Sequence, residues 1–178
     1  SLHSSAGNHT IAEAVGLIYA GTLFPEFPAA SRWRGTGFRL LGSEARRQIL
    51  DDGGGLEQAF WYLLFITDLC GLVLALRAHR GEAGPAELAD RVSRAQRFLS
   101  ALAEHPADLP PIGDRDDGYA LSPALRPSFL GEPRPVGPTT FPVAGYTLWR
   151  TPAPAAMELL FDHGPLGMAP GFGHGHAD

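Results

Sequence analysis

The feature that most constrains this 178-residue chain is a nearly unbroken apolar segment, Phe60 to Leu76. It holds about 17 residues, fewer than the roughly 20 that a typical membrane span needs, and Asp68 interrupts it. We therefore predict no transmembrane segment here, but a helix of a folded domain that is buried nearly all round. Such a helix requires other helices on its sides.

Helical signals flank this segment and continue to about residue 105. Apolar periodicity, with Pro and Gly as punctuation, predicts helices over about 8–23, 29–50, 56–80 and 86–105. Asn8 or Thr10 is expected to cap the first helix, and short links make neighbours antiparallel. The first and third helices should then be parallel, with Asn8 and His9 near the level of Gln58 and Tyr62. Apolar helices that alternate with amphipathic ones predict a double layer, as in an α/α toroid.

The sequence pattern changes after residue 105. Residues 106–140 are dense in Pro and Gly and predict a connecting loop. Beyond it, 146–150 and 157–161 are typical of strands. Helices and strands in separate blocks predict an α+β fold, with a helical domain over 1–105 and a sheet domain over 141–178.

Composition and chain ends restrict the function further. The formal charge is −5 and no block rich in Lys and Arg occurs, which argues against nucleic acid as a partner. Cys70 lies in the apolar segment, where a buried thiol is expected. The chain begins without an initiator Met or a signal-like segment, so we expect a fragment of a longer protein.

Two groups of polar residues in the helical half could carry chemistry. Asn8 and His9, at a helix start, can donate hydrogen bonds to a bound carboxylate, and Glu13 lies on the same face as His9. Gln58 and Tyr62 would share one face of a mostly apolar helix, an arrangement that often lines a cavity. We predict that Glu13 and Gln58 contact substrate. The alternatives are a helix cap followed by an exposed histidine, and a core tyrosine.

A third group closes the chain. In an extended segment alternate residues share a face, so His174, His176 and Asp178 could converge. These side chains are ordinary zinc ligands, but zinc takes about four ligands in proteins. The alternative is a solvated tail.

Four stretches, in this order, resemble the heparinase II/III superfamily of polysaccharide lyases, which includes oligoalginate lyases. They are NHTIAEAVGLIYAGTLFPEFPAASRWRGTGFRLL, RQILDDGGGLEQAFWYLLFITDL, LPPIGDRDDG and LLFDHGPLGMAPGFGHGHAD. The resemblance implies the end of an incomplete α/α toroid followed by the start of an antiparallel β-sandwich. It also implies a periplasmic or secreted bacterial location.

The resemblance further implies β-elimination at a uronic acid residue of an acidic polysaccharide. Asn8 and His9 would neutralise the uronate carboxylate, and Tyr62 would transfer a proton. His174 would be a further catalytic residue. His176 would bind a structural zinc together with ligands that are not visible in this chain.

The surroundings of Tyr62 depart from the family pattern. Typical members carry this tyrosine in a Ser-Pro-x-Tyr-His context, whereas here the residues are Ala59-Phe60-Trp61-Tyr62-Leu63. The substrate is therefore left open, and two other functions remain as alternatives. One is a non-catalytic or weakly active carbohydrate-binding protein of exopolysaccharide assembly. The other is a zinc-dependent hydrolase built on the terminal histidines, which lacks an identifiable general base.

Overall fold

Four helices precede a three-stranded antiparallel sheet in the part of the chain that the structure describes. The structure is a computed structural model, and it describes residues 7–103, 108–115, 120, 128–131, 134–152, 154 and 156–167. The helices are α1 (Asn8–Leu23), α2 (Ala30–Gln48), α3 (Phe60–His79) and α4 (Ala86–Leu102), and a short 3-10 helix follows at Ser128–Gly131. The strands are β1 (Gly137–Phe141), β2 (Tyr146–Arg150) and β3 (Glu158–Asp162). The predicted α+β fold class is confirmed.

Two details of the predicted helices are wrong. The N-cap residue of α1 is Gly7, which has no side chain, so neither Asn8 nor Thr10 has the predicted capping role. Helix α3 begins at Phe60 rather than at residue 56, because the preceding residues form a turn in which Gln58 adopts a left-handed backbone conformation (φ 53°). A helix cannot continue through such a residue.

Helices α1 and α3 are parallel, as predicted. Near their first residues, the Asn8 main-chain nitrogen donates a hydrogen bond to the Glu57 carboxylate, just before α3. Towards their last residues, the Tyr19 hydroxyl donates to the Leu72 carbonyl at 2.9 Å. Contacts at both ends join residues in the same order along the two helices. The N-termini of α1 and α3 therefore lie at the same end of the helical layer.

Helix α2 returns antiparallel to α1 and packs closely against it. The Gln48 side chain, at the end of α2, donates to the Gly7 carbonyl at 2.9 Å. Gly37 permits the close approach, since a Cβ there would lie 2.7 Å from both the Ala14 carbonyl oxygen and a side-chain carbon of Ile18. The two helices thus form one pair of the double layer.

Helix α3 is less enclosed than the sequence predicted. An 18-residue stretch of this 20-residue helix has a mean hydropathy of 1.7, so the helix could cross a membrane by length and composition, although the core helix of a soluble protein can be equally long and apolar. Half of that 18-residue stretch is buried inside the protein. The half-buried residues Tyr62, Phe65, Asp68 and Leu72 recur at helical spacing and form a stripe along one side.

Asp68 in this stripe gives a pH-dependent prediction. Burial raises the pKa of its carboxyl from 3.8 to about 6, so the folded protein binds more protons than the unfolded chain between these values. The free energy of unfolding should therefore fall as the pH rises through this window. We expect Asp68→Asn to unfold at a higher temperature than the native full-length protein at pH 7, and the difference should vanish near pH 3.

The control for Asp68→Asn is Glu26→Gln, which neutralises an exposed carboxylate in the turn between α1 and α2. That variant should follow the native pH dependence. An Asp68→Asn protein that is less stable than the native protein at pH 7 would show that the charged carboxylate is stabilised by a favourable partner.

Strand β1 lies within the segment predicted to be a loop over 106–140. It pairs with β2, with Thr139 opposite Leu148. Pro138 hides the strand signal, because proline suits only the edges of sheets, and β1 is an edge of the described sheet. The predicted strand over 146–150 is confirmed as β2, and the one over 157–161 is shifted by one residue in β3.

The sheet packs on the helical layer through aromatic rings. Tyr146 of β2 meets Phe60 at the start of α3, with ring centroids 5.1 Å apart, and Phe141 of β1 meets Phe98 of α4 at 4.6 Å. Both pairs have the edge-to-face geometry that aromatic quadrupoles favour. The first turn of α3 is therefore fixed between the two halves of the fold.

Arg150 joins the end of β2 to the end of α4. The residue is 6% exposed, and its guanidinium donates to the carbonyls of Ala101 and Ala103. The last carbonyls of a helix lack partners within it, so the arginine satisfies them. Glu158 of β3 pairs with the same guanidinium at 2.7 Å and neutralises its charge.

Candidate functional site

Asn8 lies buried at the first position of α1, with its amide held by a carboxylate from a distant part of the chain. The Asn8 main-chain nitrogen donates to Oε1 of Glu57 at 3.2 Å, and Asn8 Nδ2 donates to Oε2 at 3.3 Å. Asn8 is 4% exposed and Glu57 is 6% exposed. A carboxylate at a helix N-terminus interacts favourably with the helix dipole. Glu57 thus takes the capping role that the sequence assigned to Asn8 or Thr10.

Residues 49–59, here called the junction loop, bring Glu57 to this position. The loop folds back on itself through an antiparallel bridge between Ile49 and Gly55. Gly53 has a φ of 96°, and a Cβ there would collide with the carbonyl of Arg94 on α4. Only glycine meets both conditions without strain. The loop is therefore tightly packed between α2, α4 and the start of α3.

Gln58 has a different environment from the predicted one. It precedes α3, so it does not share a helix face with Tyr62, and that argument for a common cavity is wrong. The Gln58 side chain is buried and donates to the carbonyl of Ala144 at 3.2 Å. Ala144 lies in the turn between β1 and β2. Asp52 binds this turn too, because its carboxylate accepts hydrogen bonds from the main-chain nitrogens of Val143 and Ala144 at 2.7 and 2.9 Å. The junction loop thus fastens the sheet to the helices.

Tyr62 lies in the first turn of α3 and is half-buried. It belongs to the partly exposed stripe of α3, which distinguishes it from the fully enclosed neighbours Trp61 and Leu63. The contact between Asn8 and Glu57 brings the start of α1 to the loop that leads into Tyr62. This contact confirms that Asn8 lies near the start of α3, and a site shared by Asn8 and Tyr62 stays a prediction.

His9 and Glu13 are both exposed and lie one turn apart on α1. The two residues share one face of α1, as predicted, and the exposure of His9 also agrees with the alternative of an exposed histidine after the helix start. Their predicted roles at the substrate stay predictions.

The candidate residues His174, His176 and Asp178 lie outside the described residues. Within the ranges that the structure does describe, no three side chains of His, Cys, Asp or Glu come together as a metal site. The predicted zinc ligand and the predicted catalytic histidine therefore stay predictions.

A cationic residue outside the predicted site, Arg115, lies beside the start of α3. The Arg115 guanidinium stands over the ring of Trp61, 4.8 Å from its centroid, and its side chain is about half exposed. The segment is held there because the Phe60 nitrogen donates to the carbonyl of Ile112 at 3.2 Å. A cation over an indole face is stabilised by the ring quadrupole. Arg115 belongs to the LPPIGDRDDG stretch that resembles the family, but the sequence of that stretch does not indicate that Arg115 contacts Trp61.

Known proteins share both halves of this architecture. Residues 1–118 match the family described as Heparinase II/III N-terminus, and residues 133–178 match Heparinase II/III-like, C-terminal. A heparin-sulfate lyase from Bacteroides stercoris is 39% identical over 70 residues, which cover 39% of this chain and 10% of that protein. One from Bacteroides thetaiotaomicron is 42% identical over 65 residues, covering 36% of this chain and 9% of that protein.

Solved structures agree on the fold. A crystal structure of heparinase III superposes with a TM-score of 0.71 and 20% identity over 91% of this chain and 30% of that chain. The structure of a heparan sulfate lyase HepC mutant from Pedobacter heparinus superposes with a TM-score of 0.65 and 21% identity, over 90% of this chain and 29% of that chain. This chain thus spans less than a third of these structures. Because the N-terminal family description alone matches more than half of it, the chain belongs to the heparinase II/III family.

Proposed function

We propose that this chain is part of a polysaccharide lyase that cleaves a uronic-acid-containing polysaccharide by β-elimination. The observation that carries the proposal is the convergence of two helix starts, since Asn8 on α1 is hydrogen-bonded to Glu57 at the entrance to the Tyr62 turn of α3. Membership of the heparinase II/III family and the similarity to proteins named heparin-sulfate lyase support it.

In the proposed reaction, Asn8 and His9 receive the uronate carboxylate. The start of α1 carries the positive end of the helix dipole, which favours an anion there. Hydrogen bonds from an amide and an imidazole delocalise the carboxylate charge and make the neighbouring C5–H bond more acidic. These interactions strengthen as enolate-like charge develops, so they stabilise the transition state more than the bound substrate.

Tyr62 then transfers the proton. A free phenol has a pKa of about 10, so a tyrosine that acts as a base near neutral pH needs its anion stabilised. The location of Tyr62 in the first turn of α3 supports this role, because the main-chain N–H groups of a helix start favour negative charge. His174, the other predicted catalytic residue, would supply a further donor.

The proposed bond changes balance without water or an oxidant. The base removes the C5 proton, the C5 electron pair forms the C4–C5 double bond, and the C4–oxygen bond breaks. The leaving glycosidic oxygen takes up a proton from the acid. One product therefore ends in an unsaturated uronate, and the other regains a hydroxyl group.

The proposed steps do not pass through a metal. We propose that zinc, bound in part by His176, has a structural role, and that the intact protein is periplasmic or secreted. The donor chemistry of His176 fits such a role.

The test uses the full-length protein and a panel of heparan sulfate, alginate and glucuronan, read by ultraviolet absorbance of the conjugated uronate. Rising absorbance with at least one polymer is the expected result. Tight binding of a polymer without any change in absorbance would favour the carbohydrate-binding alternative. New reducing ends without absorbance would favour the hydrolase.

A further inference from the structure

Glu57 is an acidic residue that is buried at the start of α1, where it caps the helix and also holds the Asn8 side chain. It is 6% exposed, and the ion pairs found among the described residues do not include it. Burying a carboxylate away from water is costly unless hydrogen bonds replace its solvation. Within the described part of the chain, the Glu57 carboxylate accepts hydrogen bonds from the main chain and the side chain of one residue, Asn8.

The geometry restricts how the Asn8 amide can face its surroundings. An ionised carboxylate only accepts hydrogen bonds. The amide nitrogen of Asn8 must therefore face Glu57, because a flipped amide would direct its oxygen at a negatively charged group. The second carboxylate oxygen holds the main-chain nitrogen of the same residue at 3.2 Å. The Glu57 carboxylate thus holds both the side chain and the main chain of Asn8.

Glu57 is itself held rigidly by its neighbours in the junction loop. The Leu56 nitrogen donates to the carbonyl of Gln48 at 2.9 Å, and the Gln58 nitrogen donates to the carbonyl of Gly55 at 3.1 Å. Main-chain hydrogen bonds on both sides of Glu57 keep its carboxylate in register with the start of α1. A rigid support of this kind is what a preorganised site requires.

We propose that Glu57 is a positioning residue, which orients the Asn8 amide for the uronate carboxylate. The proposal rests on the proposed function of Asn8. Glu57 acts through Asn8 and does not itself touch the reacting atoms. The helix dipole of α1, equivalent to about half an elementary charge, offsets part of the negative charge of Glu57 at the helix end that is proposed to receive the uronate.

The proposal is tested with Glu57→Gln in the full-length protein, alone and combined with Asn8→Ala. A glutamine keeps the size of the side chain, but its amide can accept only one of the two hydrogen bonds. Misplacement of a substrate-binding group costs up to about a hundredfold in rate. We therefore expect kcat/KM on the preferred uronate polymer to fall about tenfold to a hundredfold in Glu57→Gln.

The double variant separates positioning from a general structural effect. If Glu57 acts through Asn8, adding Glu57→Gln to Asn8→Ala should lower kcat/KM no further. Losses that multiply in the double variant would overturn the proposal. Glu87→Gln, the same change in an exposed ion pair with Arg46, is the control and should keep native kcat/KM.

A second measurement does not depend on activity. In crystal structures of the full-length native and Glu57→Gln proteins, the Asn8 side chain should change its rotamer or amide orientation. An unmoved Asn8 would overturn the positioning role even if the protein cleaves no polymer. Absence of cleavage by the native protein, with Asn8 displaced in the variant, would instead contradict the proposed function alone.

Discussion

Replacing Tyr62 by Phe in the full-length protein should lower turnover by roughly two to four orders of magnitude, the usual contribution of a positioned acid or base. The change keeps the ring in the first turn of α3 and deletes only the phenol oxygen. Substrate affinity should hardly change, because the proton transfer acts in the transition state. The measurement is kcat and KM by ultraviolet absorbance on the preferred uronate polymer.

Tyr19→Phe is the matched control for this prediction. It deletes the same oxygen atom from α1, where the hydroxyl donates to the Leu72 carbonyl. That variant should lose about 1 kcal/mol of stability, the typical value of one hydrogen bond, and keep native turnover. Near-native turnover of Tyr62→Phe would show that Tyr62 is a packing residue, and the proton transfer would have to be assigned elsewhere.

Replacing Asn8 by Ala should reduce both binding and turnover. The Asn8 amide is proposed to hold the uronate carboxylate in the bound substrate and more strongly in the enolate-like transition state, so KM should rise and kcat should fall. Removal of one such donor typically costs about a hundredfold to a thousandfold in kcat. This pattern differs from Tyr62→Phe, for which KM is expected to stay constant.

Stability must be measured alongside activity for Asn8→Ala. The substitution leaves the buried Glu57 carboxylate with one of its two hydrogen bonds from Asn8, and an unsatisfied buried acceptor costs about 1–3 kcal/mol. Assays well below the unfolding temperature separate the two effects. The control is Gln96→Ala, which removes a side-chain amide from α4 and should leave KM and kcat unchanged. An Asn8→Ala protein with native KM and kcat would exclude Asn8 from the substrate site.

Local sequence signals were sufficient for the helices and for β2. Apolar periodicity and the Pro and Gly positions around α1, α2 and α4 reflect short-range preferences, so the elements were predictable one by one. Strand β1 was not predictable, because a segment containing Pro138 becomes a strand only through its pairing with β2. The start of α3 was misplaced for a similar reason, since Gln58 adopts its left-handed conformation within the packed junction loop.

The candidate site was predictable in part. Parallel helices put Asn8 and Tyr62 at one end, which follows from helix alternation alone. The role of Glu57 could not be anticipated, because its partner Asn8 is 49 residues away in the chain. Arg115 was missed for the same reason, since its contact with Trp61 joins a loop to a helix that precedes it by many residues. Tertiary contacts of this kind leave no periodic pattern in a single sequence.

The most direct test of the proposed elimination is mass spectrometry of the products formed by the full-length protein in water labelled with heavy oxygen. Elimination adds no water, so cleaved oligosaccharides that are analysed before the new anomeric hydroxyl exchanges with solvent should carry no heavy oxygen at the broken bond. Their summed mass should equal that of the uncleaved chain, with the double bond in the new non-reducing uronate. Heavy oxygen at the new chain end, with a mass gain of one water for each cleavage, would identify a hydrolase and contradict the proposed function.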